Sequence, residues 1–226
     1  MDDDEPGGHP DRTRWNVKYS EAGGDASFRA HPVAARALAL PLPTGPVLDL
    51  ACGPSGSALA AATAGRRVTA VDISDVALAM LAAEARRRGL HELITLVHAD
   101  LRVWRPRPQD RYALVLCTGY WDRALFLPAA GAVAAGGLLG WEAFSADARR
   151  VRSGLPAEWC LGAGEPASLL PAGFTVIEQY DLPDDRRGAR RRLLARLGDG
   201  ESGDDPSGAA GQHRPDDEDV QRDDQD

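Results

Sequence analysis

The stretch VLDLACGPSG, residues 47–56, decides the fold. Its first five residues are four apolar side chains around Asp49, and a loop of small residues with Gly53 and Gly56 follows. A helical pattern begins directly afterwards, over residues 57–63. Strand, tight turn and helix in this order are typical of an open α/β sheet, in which ligands bind beyond the carboxyl ends of the strands. The stretch therefore predicts a ligand-binding turn, and a core strand that ends in a plain bend is the alternative.

Strands and helices alternate along the chain after this first unit. Apolar runs predict strands, and 3.6-residue periodicity with caps predicts the helices between them: strands 68–71, 94–98, 112–117 and 138–144, and helices 74–88 and 124–133. Strands separated by helices imply parallel βαβ units. The end of the chain differs, because residues 174–180 and 190–197 predict two strands joined by a short turn, hence an antiparallel hairpin. The predicted class is α/β.

The net charge of −8 is concentrated at the two ends of the chain. Residues 1–11 hold five acidic residues and no lysine or arginine, and residues 199–226 hold eleven against two arginines. Both ends are nearly empty of aliphatic residues, so they cannot bury enough surface to order themselves. We predict disordered acidic tails at 1–12 and 199–226, as solubilising extensions or alternatively as interaction tails. One domain, 13–198, lies between them.

The cysteines and the apolar segments indicate a cytoplasmic protein. Cys52, Cys117 and Cys160 are odd in number and form no CxxC pair, which disfavours a disulfide framework or a zinc site. The acidic start does not resemble a signal peptide. Residues 124–141 carry no charge, but a proline and a glycine pair interrupt them. They predict a buried helix, a turn and a core strand better than a membrane span.

The loop after the first strand is poorly suited to phosphates. A P-loop needs a lysine, and Lys18 is the only one in the chain; Ala51 also replaces the first glycine of a dinucleotide fingerprint. Asp72 ends the second strand and can accept hydrogen bonds from two ribose hydroxyls. Asp100 follows the third strand and can reach an adenine amine, while Asp49 can orient groups around a cationic amine. These acids favour a cationic cofactor without phosphates.

Four segments together resemble class I S-adenosylmethionine-dependent methyltransferases: VLDLACGPSG, VTAVDISDVAL, HADL and YALVLCTGYW. The resemblance covers residues 13–197 and is greatest to the small tellurite-resistance-type and thiopurine-methyltransferase-like groups. It implies a Rossmann-like three-layer αβα sandwich with a seven-stranded, mostly parallel sheet in the order 3-2-1-4-5-7-6. It also implies S-adenosylmethionine as the cofactor and an N-terminal lid over residues 13–44.

The resemblance also implies which residues contact the cofactor: Trp15, Tyr19, Asp49, Ala51, Cys52, Gly53, Asp72, Ile73, Asp100, Leu101, Cys117 and Thr118. Two positions depart from the usual DxGxGxG loop, because Ala51 and Ser55 replace its first and third glycines. We expect Ala51 to be tolerated if its φ is negative. We expect Gly56 to supply the flexibility that Ser55 lacks.

The predicted reaction is methyl transfer by in-line displacement to a small-molecule acceptor, in which proximity supplies much of the acceleration. No base is evident; His31 and Tyr120 are the candidates, with a helix cap or a packing role as the alternative for His31. Tyr120 and Trp121 predict either an aromatic pocket wall or a cap on the sheet edge.

Other functions and partners are less well supported by the sequence. An NAD(P)-dependent oxidoreductase and a non-catalytic methyltransferase-like binding module are the alternative functions. The [DN]PP[YF] motif of amino-methylating nucleic-acid enzymes is absent. The arginines at 186–196 therefore predict protection of an edge strand rather than nucleic-acid binding. The acceptor, the attacking atom and the oligomeric state do not follow from the sequence.

Overall fold

The computed structural model describes residues 9–22 and 27–199. Seven strands form one sheet: β1 Val47–Leu50, β2 Val68–Asp72, β3 Ile94–His98, β4 Tyr112–Thr118, β5 Val133–Phe144, β6 Phe174–Leu182 and β7 Arg190–Leu197. Five α-helices accompany the sheet in the described part of the chain: α1 Pro10–Ala22, α2 Pro32–Leu38, α3 Gly56–Thr63, α4 Asp75–Arg87 and α5 Arg123–Gly131. Short 3₁₀ turns lie in the connections.

The strand order is β3-β2-β1-β4-β5-β7-β6, which confirms the predicted topology. Strands β1 to β5 pair in parallel, and β7 pairs antiparallel with both β5 and β6. The predicted C-terminal hairpin is therefore present, with its second strand inserted beside β5. The first turn between β1 and α3 lies at the carboxyl edge of the sheet, where ligands of this class of fold bind.

Two hydrophobic clusters cover the faces of the sheet. Helices α2, α3 and α4 pack on one face. On the other face, α5 contributes Phe126 to a group of aromatic rings in which Phe126 and Trp141 have ring centres 5.1 Å apart. Trp121 belongs to the same group, 5.9 Å from Trp141, and is only 5% exposed. Trp121 is thus a core residue, and the prediction of a pocket wall or an edge cap is wrong for it.

Strand β5 begins five residues earlier than predicted, and α5 ends two residues earlier. Val133 already pairs with Tyr112, and the register then shifts before Leu114 pairs with Leu138. Gly136 has a φ of +71° within this irregularity. The glycine pair that predicted a turn therefore forms a bulge inside a longer strand, which glycine accommodates without steric cost.

The arginines of β7 do not protect a sheet edge, because β7 lies between β5 and β6. Arg191 pairs with Asp181 on the neighbouring strand at 2.6 Å, and Arg196 donates to the backbone oxygen of Gly136 at 2.6 Å. The edge strand is β6. These side chains hold the hairpin to the rest of the sheet.

The ends of the chain are described only in part. Helix α1 begins at Pro10, so residues 10–12, predicted to belong to the N-terminal tail, are helical. Residues 1–8 and 200–226, which make up most of the two predicted acidic tails, lie outside the described residues. Within the described ranges, no helix has the length and apolar character that crossing a membrane requires.

Candidate functional site

The β1–α3 loop holds two residues in the left-handed backbone region. Gly53 has a φ of +57° and Ala51 a φ of +49°. The negative φ on which the tolerance of Ala51 was made to depend is therefore not present. A side chain in this region costs about 1–2 kcal/mol, so the alanine adds local strain. The backbone N–H of Cys52 donates to the oxygen of Val71 at 3.1 Å and ties the loop to β2.

Ser55 has a structural role that a glycine could not perform. Its Oγ caps α3 by accepting from the N–H of Ala58 at 2.9 Å, and it donates to Oδ2 of Asp49 at 2.5 Å. Gly56 does not supply flexibility, because it is the first residue of α3. An added Cβ at Gly56 would lie 2.3 Å from the backbone carbon and oxygen of Arg29. The glycine permits this close approach of the segment before α2.

Asp49 is a buried carboxyl, only 1% exposed, at the centre of β1. Burial raises its pKa from 3.8 to about 6; the hydrogen bond from Ser55 opposes the rise, and the negative charge of Asp72 adds to it. Removal of a carboxylate from water disfavours its charged form, which is the physical cause of this direction. Ionised Asp49 would be stabilised by a cation placed beside it.

Asp72 ends β2 and is anchored by two backbone donors. Its Oδ2 accepts from the N–H of Gly53 at 2.7 Å, and its Oδ1 accepts from the N–H of Ser74 at 2.8 Å. Burial raises the pKa of Asp72, and these hydrogen bonds oppose the rise. A carboxylate has about four lone-pair sites, so both oxygens keep acceptor capacity. Ile73 follows directly, and its backbone oxygen lies 3.0 Å from Nε2 of His98.

Asp100 lies just after β3, as predicted, but its carboxylate already has a cationic partner. Nε and Nη2 of Arg102 each lie 3.0 Å from its Oδ2, and the N–H of Arg102 donates to Oδ1 at 2.9 Å. Nε2 of His9, just before α1, is 3.5 Å away. Leu101 beside it is 5% exposed and packs into the core.

Helix α1 brings the two predicted aromatic residues to the loop. Trp15 and Tyr19 stack with ring centres 5.8 Å apart. A Cβ added at Gly53 would lie 2.8 Å from the hydroxyl of Tyr19, so this side chain sits directly on the loop. Asn16 fixes the helix to the start of α4 because it accepts from Oγ of Ser74 at 2.6 Å and donates to Asp75 at 2.8 Å.

The carboxyl ends of β4 and β5 bring a further acid next to the predicted site. Cys117 is fully buried, and Thr118 is the last residue of β4. Thr118 pairs in register with Glu142, which is 2% exposed and accepts from Nη2 of Arg192 at 2.7 Å. Glu142 is not among the site residues predicted from the sequence. The sequence nevertheless marks Glu142, because it is the only charged residue in the otherwise apolar strand VAAGGLLGWEAF.

His31 and Tyr120, the two candidate bases, are both engaged by the fold. His31 caps α2 through Nδ1, 3.4 Å from the N–H of Val33, and its Nε2 lies 3.2 Å from Oε1 of Glu142. The capping role named as the alternative for His31 is thus present. Tyr120 is half-buried, which raises the pKa of its hydroxyl further above neutrality. Its backbone oxygen accepts from Nε1 of Trp141 at 3.0 Å.

Metal chemistry has no local support in the described part of the chain. No group of three or more His, Cys, Asp or Glu side chains there is arranged to hold an ion. The three cysteines are free thiols. The site is therefore an arrangement of carboxylates, small residues and aromatic rings around a single loop.

The loop and the strands around it match a known protein family. Residues 47–134 match a family model described as a methyltransferase domain. No curated protein matches the chain. Three solved structures illustrate the similarity in fold. TehB from Haemophilus influenzae has a TM-score of 0.61 at 18% identity, over 80% of this chain and 66% of that one.

The other two structures cover similar shares of the chain. Coclaurine N-methyltransferase bound to N-methylheliamine and SAH has a TM-score of 0.54 at 16% identity, over 72% of this chain and 70% of that one. A structure described as "Conversion of a Disulfide Bond into a Thioacetal Group during Echinomycin Biosynthesis" has a TM-score of 0.57 at 19% identity. It is matched over 84% of this chain and 95% of that one.

At these sequence identities, similarity to solved structures shows only the fold. The family model additionally identifies a methyltransferase domain within it. Residues 47–134 therefore match a methyltransferase domain, in agreement with the predicted resemblance to class I S-adenosylmethionine-dependent methyltransferases. Methyl transfer with S-adenosylmethionine as the cofactor is the activity that these findings support. They do not favour the oxidoreductase or the non-catalytic module.

Proposed function

We propose that this chain transfers the methyl group of S-adenosylmethionine to a small-molecule acceptor by in-line displacement. One observation carries the assignment of the site to this chemistry. At the carboxyl edge of β1 and β2, Gly53 is hydrogen-bonded to Asp72, and Asp49 on the neighbouring strand is a second buried carboxyl bonded to Ser55 of the same loop. A cation that carries hydroxyl and amine donors complements this arrangement, whereas a pyrophosphate would be repelled by it.

The chemistry of the donor set fits the cofactor. The remaining lone pairs of Asp72 would accept from the two ribose hydroxyls, and Asp49 would face the positively charged methionine end. Asp100 would receive the adenine amine beside its contact with Arg102. Ala51 and Cys52 would border the methionine portion with Gly53. Ile73 and Leu101 would flank the ribose and the base. Trp15 and Tyr19 would close over the loop.

The residues of the chain act mainly by position. When bound, the cofactor supplies an electrophilic methyl group on a positively charged sulfur. Tyr19 and Trp15 would exclude water from the loop, and Cys117 and Thr118 at the end of β4 would border the reacting atoms. Holding the acceptor in line supplies much of the acceleration. Because both nitrogens of His31 are engaged and Tyr120 stays protonated at neutral pH, we propose that neither acts as an obligatory base.

The remaining predictions on organisation and environment also stand as proposals. We propose that the acidic segment after residue 199 is a solubilising extension of the domain. The free cysteines fit a reducing cytoplasm. Four arginines of the C-terminal segment, Arg186, Arg187, Arg190 and Arg191, lie in or beside the hairpin. Pairing within the fold, rather than a nucleic acid, accounts for Arg191.

Calorimetric titration with S-adenosylhomocysteine, the demethylated cofactor, tests the assignment of Asp72. Asp72→Ala removes the ribose acceptor, and loss of even one charge-assisted hydrogen bond of about 1.5–3 kcal/mol predicts at least about tenfold weaker binding. Asp110→Ala is the matched control, because Asp110 pairs with Arg107 away from this edge. Equal affinities of the Asp72 variant and the wild type would refute the ribose assignment.

Turnover is tested separately by detection of S-adenosylhomocysteine after incubation with thiol, amine and hydroxyl acceptors. Formation of the demethylated product with any of them supports the proposal. Binding of NAD(P) without binding of S-adenosylhomocysteine would contradict the proposed methyl transfer and favour the alternative of an NAD(P)-dependent oxidoreductase. Cofactor binding without turnover of any acceptor in the panel would favour the alternative of a non-catalytic, methyltransferase-like binding module.

A further inference from the structure

Aromatic rings and cationic side chains gather beyond the carboxyl end of β5 and the amino end of β7. We call this group, made of Trp15, Lys18, Phe144, Arg152 and Arg190, the basic aromatic patch. The guanidinium carbons of Arg152 and Arg190 lie 4.8 and 5.2 Å from the ring centre of Phe144. Nζ of Lys18 lies 4.2 Å from the ring centre of Trp15. Cations placed over aromatic faces are attracted to the ring quadrupole, so the rings fix the positions of the cations.

Three elements carry these cations; Arg152 and Arg190 meet at Phe144, and both are near enough to Lys18 for their charges to affect its pKa. Lys18 comes from α1, Arg152 from the segment after β5, and Arg190 from the first position of β7. The pKa of Lys18 is lowered by burial first and then by the positive charges of Arg190, Arg14 and Arg152. Like charges brought together in a partly buried place repel one another unless an anion accompanies them.

The carboxylates of the site do not neutralise the patch. Within residues 9–22 and 27–199, no carboxylate lies at salt-bridge distance from Lys18 or Arg152. Arg190 is 3.7 Å from Glu142, but Glu142 is already held at 2.7 Å by Arg192. The patch therefore keeps an excess of positive charge, which is the electrostatic condition for binding an anion.

Phe144, Arg152 and Arg190 lie at or beyond the end of β5, whereas Trp15 and Lys18 come from α1, which also covers the cofactor loop. Phe144 pairs in register with Arg190, and two residues earlier Glu142 pairs with Thr118 at the end of β4. The acidic side chains assigned to the cofactor lie in the other direction, at the ends of β1, β2 and β3. One edge of the sheet thus presents the carboxylates assigned to the cofactor over β1–β3 and cations over β5 and β7, with Thr118 and the paired Glu142 between them.

We propose that the basic aromatic patch binds an anionic group of the methyl acceptor, so that the substrates are small molecules with a carboxylate or a phosphate. The patch would hold the anionic end against Arg152, Lys18 and Arg190, and the apolar body of the acceptor would pack on Phe144. This inference rests on the proposed function, because it takes the space beside Thr118 as the acceptor site.

Calorimetric titration of the protein saturated with S-adenosylhomocysteine tests this inference, with benzoate, phenyl phosphate and benzyl alcohol as probes. The two anions are expected to bind at least about tenfold more tightly than the neutral alcohol, since one charge-assisted hydrogen bond has about this effect. Arg152→Gln and Lys18→Gln, on different elements, are each expected to weaken binding of the anions by about tenfold. Arg150→Gln is the matched control, because Arg150 is 82% exposed and pairs with Asp147.

The outcomes separate this inference from the proposed function. Equal binding of benzyl alcohol and the anions, or unchanged anion binding in both patch variants, would overturn the inference. Loss of S-adenosylhomocysteine affinity in the patch variants, with anion binding retained, would also overturn it, because the patch would then hold the carboxylate of the cofactor. Failure of the wild-type protein to bind S-adenosylhomocysteine at all would instead contradict the proposed function.

Discussion

Replacement of Asp49 by asparagine is expected to stabilise the fold at neutral pH and to weaken the binding of the cofactor. The carboxyl is 1% exposed, and burial raises its pKa from 3.8 to about 6. A group with a raised pKa in the folded state stabilises the fold below its unfolded pKa, and this contribution is lost as the pH rises through the folded value. A pKa of about 6 in place of 3.8 corresponds to about 3 kcal/mol, at about 1.36 kcal/mol per pKa unit.

Urea denaturation of both proteins at two pH values measures this difference. Asparagine keeps an acceptor for the hydroxyl of Ser55 but never ionises. Its advantage in free energy of unfolding should be about 3 kcal/mol near pH 8 and about half of that near pH 5. An advantage that does not change with pH, or a less stable variant near pH 8, would refute the electrostatic reasoning. Weaker binding of S-adenosylhomocysteine by the variant would show that the buried charge of Asp49 contributes to ligand binding.

Three further substitutions test the packing of the loop and the core. Ala51→Gly should raise the free energy of unfolding by about 0.5–1 kcal/mol. Relief of left-handed backbone strain, about 1–2 kcal/mol, outweighs the greater conformational entropy of the unfolded glycine variant, about 0.4–1 kcal/mol. Lower stability of the variant in urea would contradict this. Gly56→Ala should destabilise by about 1–3 kcal/mol through the clash with Arg29, whereas Gly131→Ala, with no atom within 4 Å of its added Cβ, should not. Phe126→Ala should cost about 3–5 kcal/mol, and a loss below 1 kcal/mol by calorimetry would remove Phe126 from the core.

Most of the sheet followed from local patterns in the sequence. Strands β3 and β7 have the predicted limits, 94–98 and 190–197. The start of β5 could not be placed, since the bulge at Gly136 depends on the pairing of Val133 with Tyr112 across the sheet. Trp121 likewise gave no local sign that it would be buried against Trp141.

The sequence alone determined the α/β class, the strand order through the family resemblance, and the positions of Asp49, Asp72 and Asp100 at strand ends. These features depend on periodicity and on the meeting of parallel strand ends at one edge, which local residues specify. The contacts of Glu142 with His31 and Arg192, and the gathering of Lys18, Arg152 and Arg190, were decided only by the tertiary structure. Their partners are tens to more than a hundred residues apart in the chain, so their meeting depends on strand register and helix docking. The left-handed φ of Ala51 was decided in the same way, since the loop must bring Gly53 to Asp72.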